Sequence, residues 1–307
     1  MRKFLESLIL ILIIVGIYLY HNQIVSFIMM NIVYRDELLV KESNEYKEEN
    51  NWQYIEETDN FYPENKQDIL NIFYTALNGG WEEVTFYCTD KYSSCLDDVK
   101  EMTSEDYILS NINNFVHVYN SYNHIYIKIN NFGRVNIKIE KLYSDDQIND
   151  INKKIDEIYN SIITDSMSDY DKIKTIHDYI INNTIYDSDR ANEIKSGLAT
   201  DLKHKSNIAY GPLIEGKAIC GGYTDAMALF LDKMGIKNYK ISSENHIWNL
   251  VYIDSEWKHL DLTWDDPVTS TGENILTHTF FLVKTEELQN IDTTQHQFDK
   301  KIYIEAN

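Results

Sequence analysis

Gly216-Lys-Ala-Ile-Cys220-Gly-Gly-Tyr223 leads into Ala226, Met227, Leu229, Phe230 and Met234, and the run stops at Gly235. Turn residues, then helical apolar spacing, then a glycine predict a buried helix whose first turn begins at or just after Cys220. Downstream, His246-Ile-Trp-Asn-Leu-Val-Tyr-Ile253 alternates as a strand does. Asp254-Ser-Glu256 reads as a turn, and Trp257 to Thr263 as the next strand. The two strands are expected to pair as an antiparallel hairpin, which sets His246 opposite the region of Asp261 to Thr263. A helix facing such a hairpin gives the fold class as α+β.

These residue types suit thiol chemistry. A cysteine thiol becomes a useful nucleophile when an imidazole removes its proton and a third group holds the imidazole. Cys220, His246 and Asp261 can fill those parts, since a carboxylate across the ladder could accept the imidazole N–H. A helix N-terminus adds unpaired backbone N–H groups able to bond an oxyanion. Gly221 and Gly222 are expected to let a substrate backbone come close, and Tyr186 and Tyr210 to line the site or support the oxyanion. Each residue also has a plainer reading. A cysteine before a helix is commonly a core residue, and a tyrosine in such a segment commonly packs. His259, on the same strand face as Asp261, competes with His246 for the base. Asp265 and Asp266, beside Pro267, are expected to end the strand in a turn. No HExxH-like pair is present, so no metal is expected.

The bulk of the sequence limits the function classes. The 307 residues are 43% hydrophobic and 25% charged, as in a globular protein. A net charge of -21 argues against a nucleic-acid partner, because phosphates would be repelled. Arg2 and Lys3 precede an apolar run, and Phe4 to Tyr20 spans 17 residues. At about 1.5 Å per residue that is about 26 Å of helix, marginal for a bilayer. A second apolar patch, Ile24 to Val33, follows without a small-x-small cleavage site. Residues 1–35 therefore read as an uncleaved signal anchor, ahead of a cleaved signal peptide or a buried amphipathic helix. The N-terminal positive charges place the bulk of the chain outside the cell. There, Cys88 and Cys95 could close a short disulfide loop or stand as two separate thiols.

Residues 36–65, polar and without periodicity, read as a linker. Residues 66–165 read as a small α+β region, with helices over Gln67 to Leu77, Ser104 to Tyr119 and Ser144 to Ile163. A short β-prone segment covers Trp81 to Tyr87, and a hairpin joins His124 to Ile129 with Val135 to Ile139. Residues 166–307 hold the catalytic part, which begins with a half-buried helix from Asp169 that Ser168 is expected to cap. Asn182 to His204 reads as a surface loop.

From about Asp169 to Val283 the chain resembles the transglutaminase-like superfamily, in its bacterial members with a papain-like Cys-His-Asp core. The resemblance rests on Lys172-Ile-Lys-Thr-Ile-His-Asp-Tyr179, Gly216-Lys-Ala-Ile-Cys220-Gly-Gly-Tyr223, His246-Ile-Trp-Asn249 and Trp257-Lys-His-Leu-Asp261-Leu-Thr-Trp-Asp-Asp-Pro267. It implies a nucleophile helix packed on an antiparallel sheet, with Cys220 as nucleophile, His246 as base and Asp261 as its orienting acid. It further implies attack on a protein or peptide amide, cell-wall peptide included, through a thioester, with no cofactor. The acyl group would pass to an amine or to water. The family also has members that have lost activity, so an envelope binding or scaffold module is the alternative.

Overall fold

The structure is a computed structural model that describes residues 2–28, 41–104, 106–130, 132–199, 201–267, 275–292 and 294–307. Residues 1 and 29–40 of the expected anchor and linker lie outside the described residues.

Helix α1, Arg2–Ile28, joins the first apolar run to the start of the second. Its window Lys3–His21 has a mean hydropathy of 2.1, and none of it is buried against the rest of the protein. This helix is long and apolar enough to cross a membrane.

Next come α2 (Lys66–Asn78), β1 (Glu83–Tyr87), α3 (Cys95–Ser104) and α4 (Asp106–Asn113). The expected helix over Ser104 to Tyr119 is thus cut short. The Asn113 side chain accepts from Tyr122 N at 3.0 Å, and that of Asn114 donates to Ser242 Oγ and Tyr303 Oη. Such polar side chains serve backbone and partners outside a helix and draw the chain out of it. Strands β2 (Tyr122–Ile129) and β3 (Arg134–Lys141) form the hairpin, and β1 joins its far side to give the antiparallel order β1-β3-β2. Cys88 and Cys95 are joined in a disulfide, with their Cα atoms 5.6 Å apart.

Helix α5 (Asp145–Ile162) starts with a capping box of Ser144 and Gln147, and α6 (Asp169–Asn182) is capped by Ser168. The stretch read as a surface loop contains β4 (Ile185–Tyr186) and α7 (Ser188–Lys195). Asp187 caps α7, and the buried Arg190 guanidinium donates to Asn207 Oδ1 at 3.2 Å and to Asp201 O. Helical periodicity is invisible there because α7 buries little apolar surface. Strand β5 (Lys217–Ala218) pairs with β4 in parallel and leads into α8 (Cys220–Lys233). Strands β6 (Asn238–Ser242), β7 (Ile247–Ile253) and β8 (Glu256–Leu260) form a second antiparallel sheet. Helices α9 (Leu262–Asp265) and α10 (Thr285–Ile291) follow.

The second sheet is apolar on both faces. Trp248 and Leu250 of β7 pack into one core with α2, β1 and β3. Val251 and Ile253 turn the other way, into a core with α5, α6 and α8. The alternation read for β7 suggests one buried face, but its residues are buried on both faces, as in the middle of a covered sheet. Neither core respects a boundary near residue 165. Nor is 41–65 a free linker, because Trp52, Ile55 and Phe61 are buried. Side chains of α2 reach back to it, with Asn71 and Thr75 accepting from the backbone N–H groups of Glu56 and Thr58. Apolar residues spaced singly among polar ones leave the sequence no period from which to read this.

Glu48, in the same segment, shares a small cavity with Asp232 of α8, His117 and Lys240. Burial, and then the Asp232 charge, raise the Glu48 carboxyl above its usual range, and burial raises Asp232. A raised folded-state value means that the folded protein holds the proton more tightly than the unfolded chain. Its stabilising effect is therefore full below the unfolded value of about 4.3 and is lost as pH rises through the raised one. Glu48→Gln should raise the melting midpoint at pH 8 by about 2–4 °C and leave it nearly unchanged near pH 4. Thermal melts at the two pH values check this.

Candidate active site

Cys220 is the first residue of α8. The cap position before it is Ile219, whose side chain bonds no N–H, so the positive end of the helix is left to what faces it. Two contacts hold this end of α8 to the start of β7. The Thr224 hydroxyl lies 2.8 Å from Cys220 O and 3.0 Å from Ile247 O, and Asn249 Nδ2 donates to Thr224 O at 3.0 Å. Further along α8, Asp225 accepts from Tyr143 Oη at 2.6 Å and from Lys240 Nζ at 2.9 Å, which fixes the helix on the sheet.

The residue before β7 is His246. Its Nε2 meets Asp261 Oδ2 at 2.5 Å, and the Cys220 thiol is near enough to the same ring to raise its proton affinity. With Nε2 committed to Asp261, Nδ1 is the nitrogen left for the thiol. Burial opposes a charge on His246. The Asp261 carboxylate, helped by Cys220, overcomes it and brings the ring up to about 10. Trp248 stacks on His246, with centroids 5.6 Å apart.

Asp261 does not lie within a strand as its flanking residues suggest. Strand β8 ends at Leu260, and Asp261 caps α9. Its Oδ1 accepts from Thr263 N at 2.9 Å and Trp264 N at 3.2 Å, leaving Oδ2 for His246. Burial works against the carboxylate, but His246 and then His296 hold it well below the usual range. One side chain thus ends the strand, starts the helix and holds the imidazole.

His296 joins the site although no sequence motif marks it. Its Nε2 lies 2.8 Å from Asp261 Oδ2, and its Nδ1 lies 2.8 Å from Asp292 Oδ2. The one signal in the sequence is the i, i+4 spacing of Asp292 and His296, which is common and unspecific. His259, the competing histidine, has both ring nitrogens engaged elsewhere. Its Nδ1 accepts from Trp248 Nε1 at 2.9 Å, its Nε2 meets Thr285 Oγ1 at 3.0 Å, and burial, with His296 nearby, pushes the ring down to about 3. It is a neutral, bonded core residue. Asp265 and Asp266 do not end a strand as expected, because β8 stops at Leu260 and the two residues close α9. Asp265 accepts from His177 Nε2, Thr277 Oγ1 and Phe280 N, and Asp266 accepts from Tyr223 Oη.

Cys220 and His246 open on a cleft of about 750 Å³ whose walls include Tyr186, Ile194, Trp264 and Gln295. Burial, and then the nearby Cys220, raise the Tyr186 phenol, so it stays a hydrogen-bond donor. Three other expected contributors lie elsewhere. Tyr210 packs beside the core of α5, α6 and α8 with Lys205 Nζ 5.0 Å from its ring centre, and it is not part of the cleft wall. Gly221 and Gly222 admit the protein's own backbone instead of a substrate. A Cβ at Gly221 would stand 2.6 Å from Asn207 O, and one at Gly222 would stand 2.6 Å from Ser206 O. Gly222→Ala should cost about 1–3 kcal/mol by overpacking, read from urea denaturation.

Among the described residues, two clusters could hold a cation by their donor atoms, His246, Asp261 and His296 and, on α6 and beyond, His177, Asp178 and His278. In the first, both histidines already bond directly to the carboxylate. In the second, Lys174 Nζ lies 2.7 Å from Asp178 and 3.0 Å from His278, so an ammonium already supplies the positive charge.

No protein-family model matches the sequence, and comparison with curated proteins gives no match. Among solved structures the chain is similar to a transglutaminase (TGase), over 47% of this chain and 44% of that one, at 19% identity and a TM-score of 0.34. It is similar also to a protein described as a cysteine protease from Cytophaga hutchinsonii. That match covers 50% of this chain and 65% of the other, at 16% identity and a TM-score of 0.29. The chain spans less than two thirds of either protein.

Proposed function

We propose that this protein is a transglutaminase-like cysteine acyltransferase or hydrolase acting on protein or peptide amides at the cell envelope. The observation that carries the reading is the buried His246, held by Asp261 on one side and facing Cys220 at a helix N-terminus on the other. In the proposed mechanism the thiol proton already rests on His246, and the Cys220 thiolate attacks the amide carbonyl. Backbone N–H groups at the start of α8, with the Tyr186 phenol beside them, bond the oxygen as it gains charge. His246 then gives its proton to the departing amine, leaving a thioester on Cys220. Water or a second amine, deprotonated by His246, attacks that thioester and frees the thiol.

Helix α1 would anchor the enzyme, with the positive residues at its start on the cytoplasmic side and the cleft outside. A disulfide between Cys88 and Cys95 suits an oxidising compartment and supports this placement. The test is to incubate the protein with envelope peptides, with and without a primary amine, and weigh the products. Loss of a fragment identifies a peptidase, a gain of one dalton a deamidase, and an amine adduct a transamidase. No product in any arm, from protein shown to be folded, would count against the reading.

A further inference from the structure

His296 is fully buried and bridges two carboxylates, with each ring nitrogen 2.8 Å from an oxygen. A carboxylate accepts, so the bond to Asp261 Oδ2 is one that the His296 Nε2–H donates. The groups facing it come from several elements. Asp261, which caps α9, and Asp292, at the end of α10, bond it directly. The His246 ring is 5.3 Å away. His259 of β8 lies close enough for its proton affinity to be lowered by His296. Trp248, Trp264 and Phe280 enclose the ring without charge, Phe280 stacking at 5.1 Å. Asp292 in turn accepts from Thr294 N, Gln295 N and His296 N, so it is locked into the turn that carries His296. That turn also brings Gln295 to the cleft wall.

The essential detail is the shared oxygen. His246 and His296 both bond Asp261 Oδ2, while Oδ1 is spent on the cap of α9. We propose, building on the function proposed above, that His296 is a positioning residue for this site, which pins Asp261 Oδ2 and sets how firmly that carboxylate holds His246. It touches neither Cys220 nor the cleft, and it acts through Asp261. The arrangement also makes the site depend on the docking of 294–298, a segment remote in sequence from α8.

The test uses the full chain with its α1 helix, in detergent, and the rate of Cys220 alkylation by iodoacetamide against pH. His296→Phe keeps an aromatic ring between Phe280, Trp248 and Trp264 but removes the donor to Asp261. Asp292→Asn leaves His296 in place and weakens its second anchor. The profile should show an inflection where His246 loses its proton. Freed from the second donor, Asp261 holds His246 more strongly, so the inflection moves to higher pH in His296→Phe, and in the same direction but by less in Asp292→Asn. In a turnover assay kcat should fall roughly tenfold to a hundredfold with KM little changed, as when a ring-orienting partner is lost. A wild-type inflection in folded His296→Phe overturns the proposal, whatever the turnover, since packing alone would leave the inflection unmoved. If His296→Phe does not fold, Asp292→Asn decides the matter, and an unmoved inflection there overturns the proposal in the same way. Failure of the underlying function looks different, because wild-type Cys220 would then react no faster than Cys220 in His246→Ala.

Discussion

Cys220→Ala should fold as the parent does and lose acyl transfer by about four orders of magnitude or more. The side chain is partly exposed at the first turn of α8, so removing its sulfur costs little packing. Its backbone N–H groups, Thr224 and Tyr186 remain, and the variant should still bind substrate in the cleft. Intact-mass measurement after mixing with substrate and rapid acid quenching should show an acyl adduct on the parent and none on the variant. Turnover in Cys220→Ala would move the nucleophile elsewhere, and no other free cysteine is available, since Cys88 and Cys95 are bonded to each other.

Asp261→Asn should come next in size. Asparagine is as good a helix cap as aspartate, so the bonds to Thr263 N and Trp264 N survive and the start of α9 is kept. The charge that holds His246 is lost. A fall in kcat of about three to four orders of magnitude is expected, as when the carboxylate of a triad becomes an amide. The pH profile should change with it. In the parent, burial disfavours the imidazolium, but the carboxylate outweighs it and the ring lies near 10. A group raised in this way keeps its proton throughout the neutral range, so the alkaline limb of kcat should lie well above pH 7 and fall as His246 loses the proton meant for the leaving amine. In Asp261→Asn only burial and the weaker help of Cys220 remain, and the limb should move toward acid. A pH series on the two proteins decides it, and coincident limbs would show that Asp261 does not set the state of His246.

Much of this site is legible in the sequence because its parts are local. Gly235 ends α8, the turn at Asp254 and Ser255 sets the β7–β8 register, and that register brings His246 near Asp261. Each is a short-range signal. The failures are of two kinds. Gly221 and Gly222 look like room for a substrate, yet a glycine only records that something comes close, and here it is the backbone at Ser206 and Asn207. His296 lies 35 residues beyond Asp261, on an irregular turn with no apolar period, and only tertiary packing brings it to the carboxylate. Similarly, 41–65 carries too few apolar residues to look like anything but a linker, although Trp52 fills a gap between Phe115, Tyr239 and Trp257.

The central claim, that His246 activates the Cys220 sulfur, is tested most directly by the reaction of that sulfur with iodoacetamide at pH 7 in the parent and in His246→Ala. Peptide mass mapping assigns the label to Cys220, the one free cysteine of the chain. The parent should react faster by about tenfold or more, because an unassisted thiol is only a few per cent thiolate at about pH 7. Equal rates in two folded proteins would mean that the imidazole does nothing for the thiol, and the proposed chemistry would be contradicted at its root.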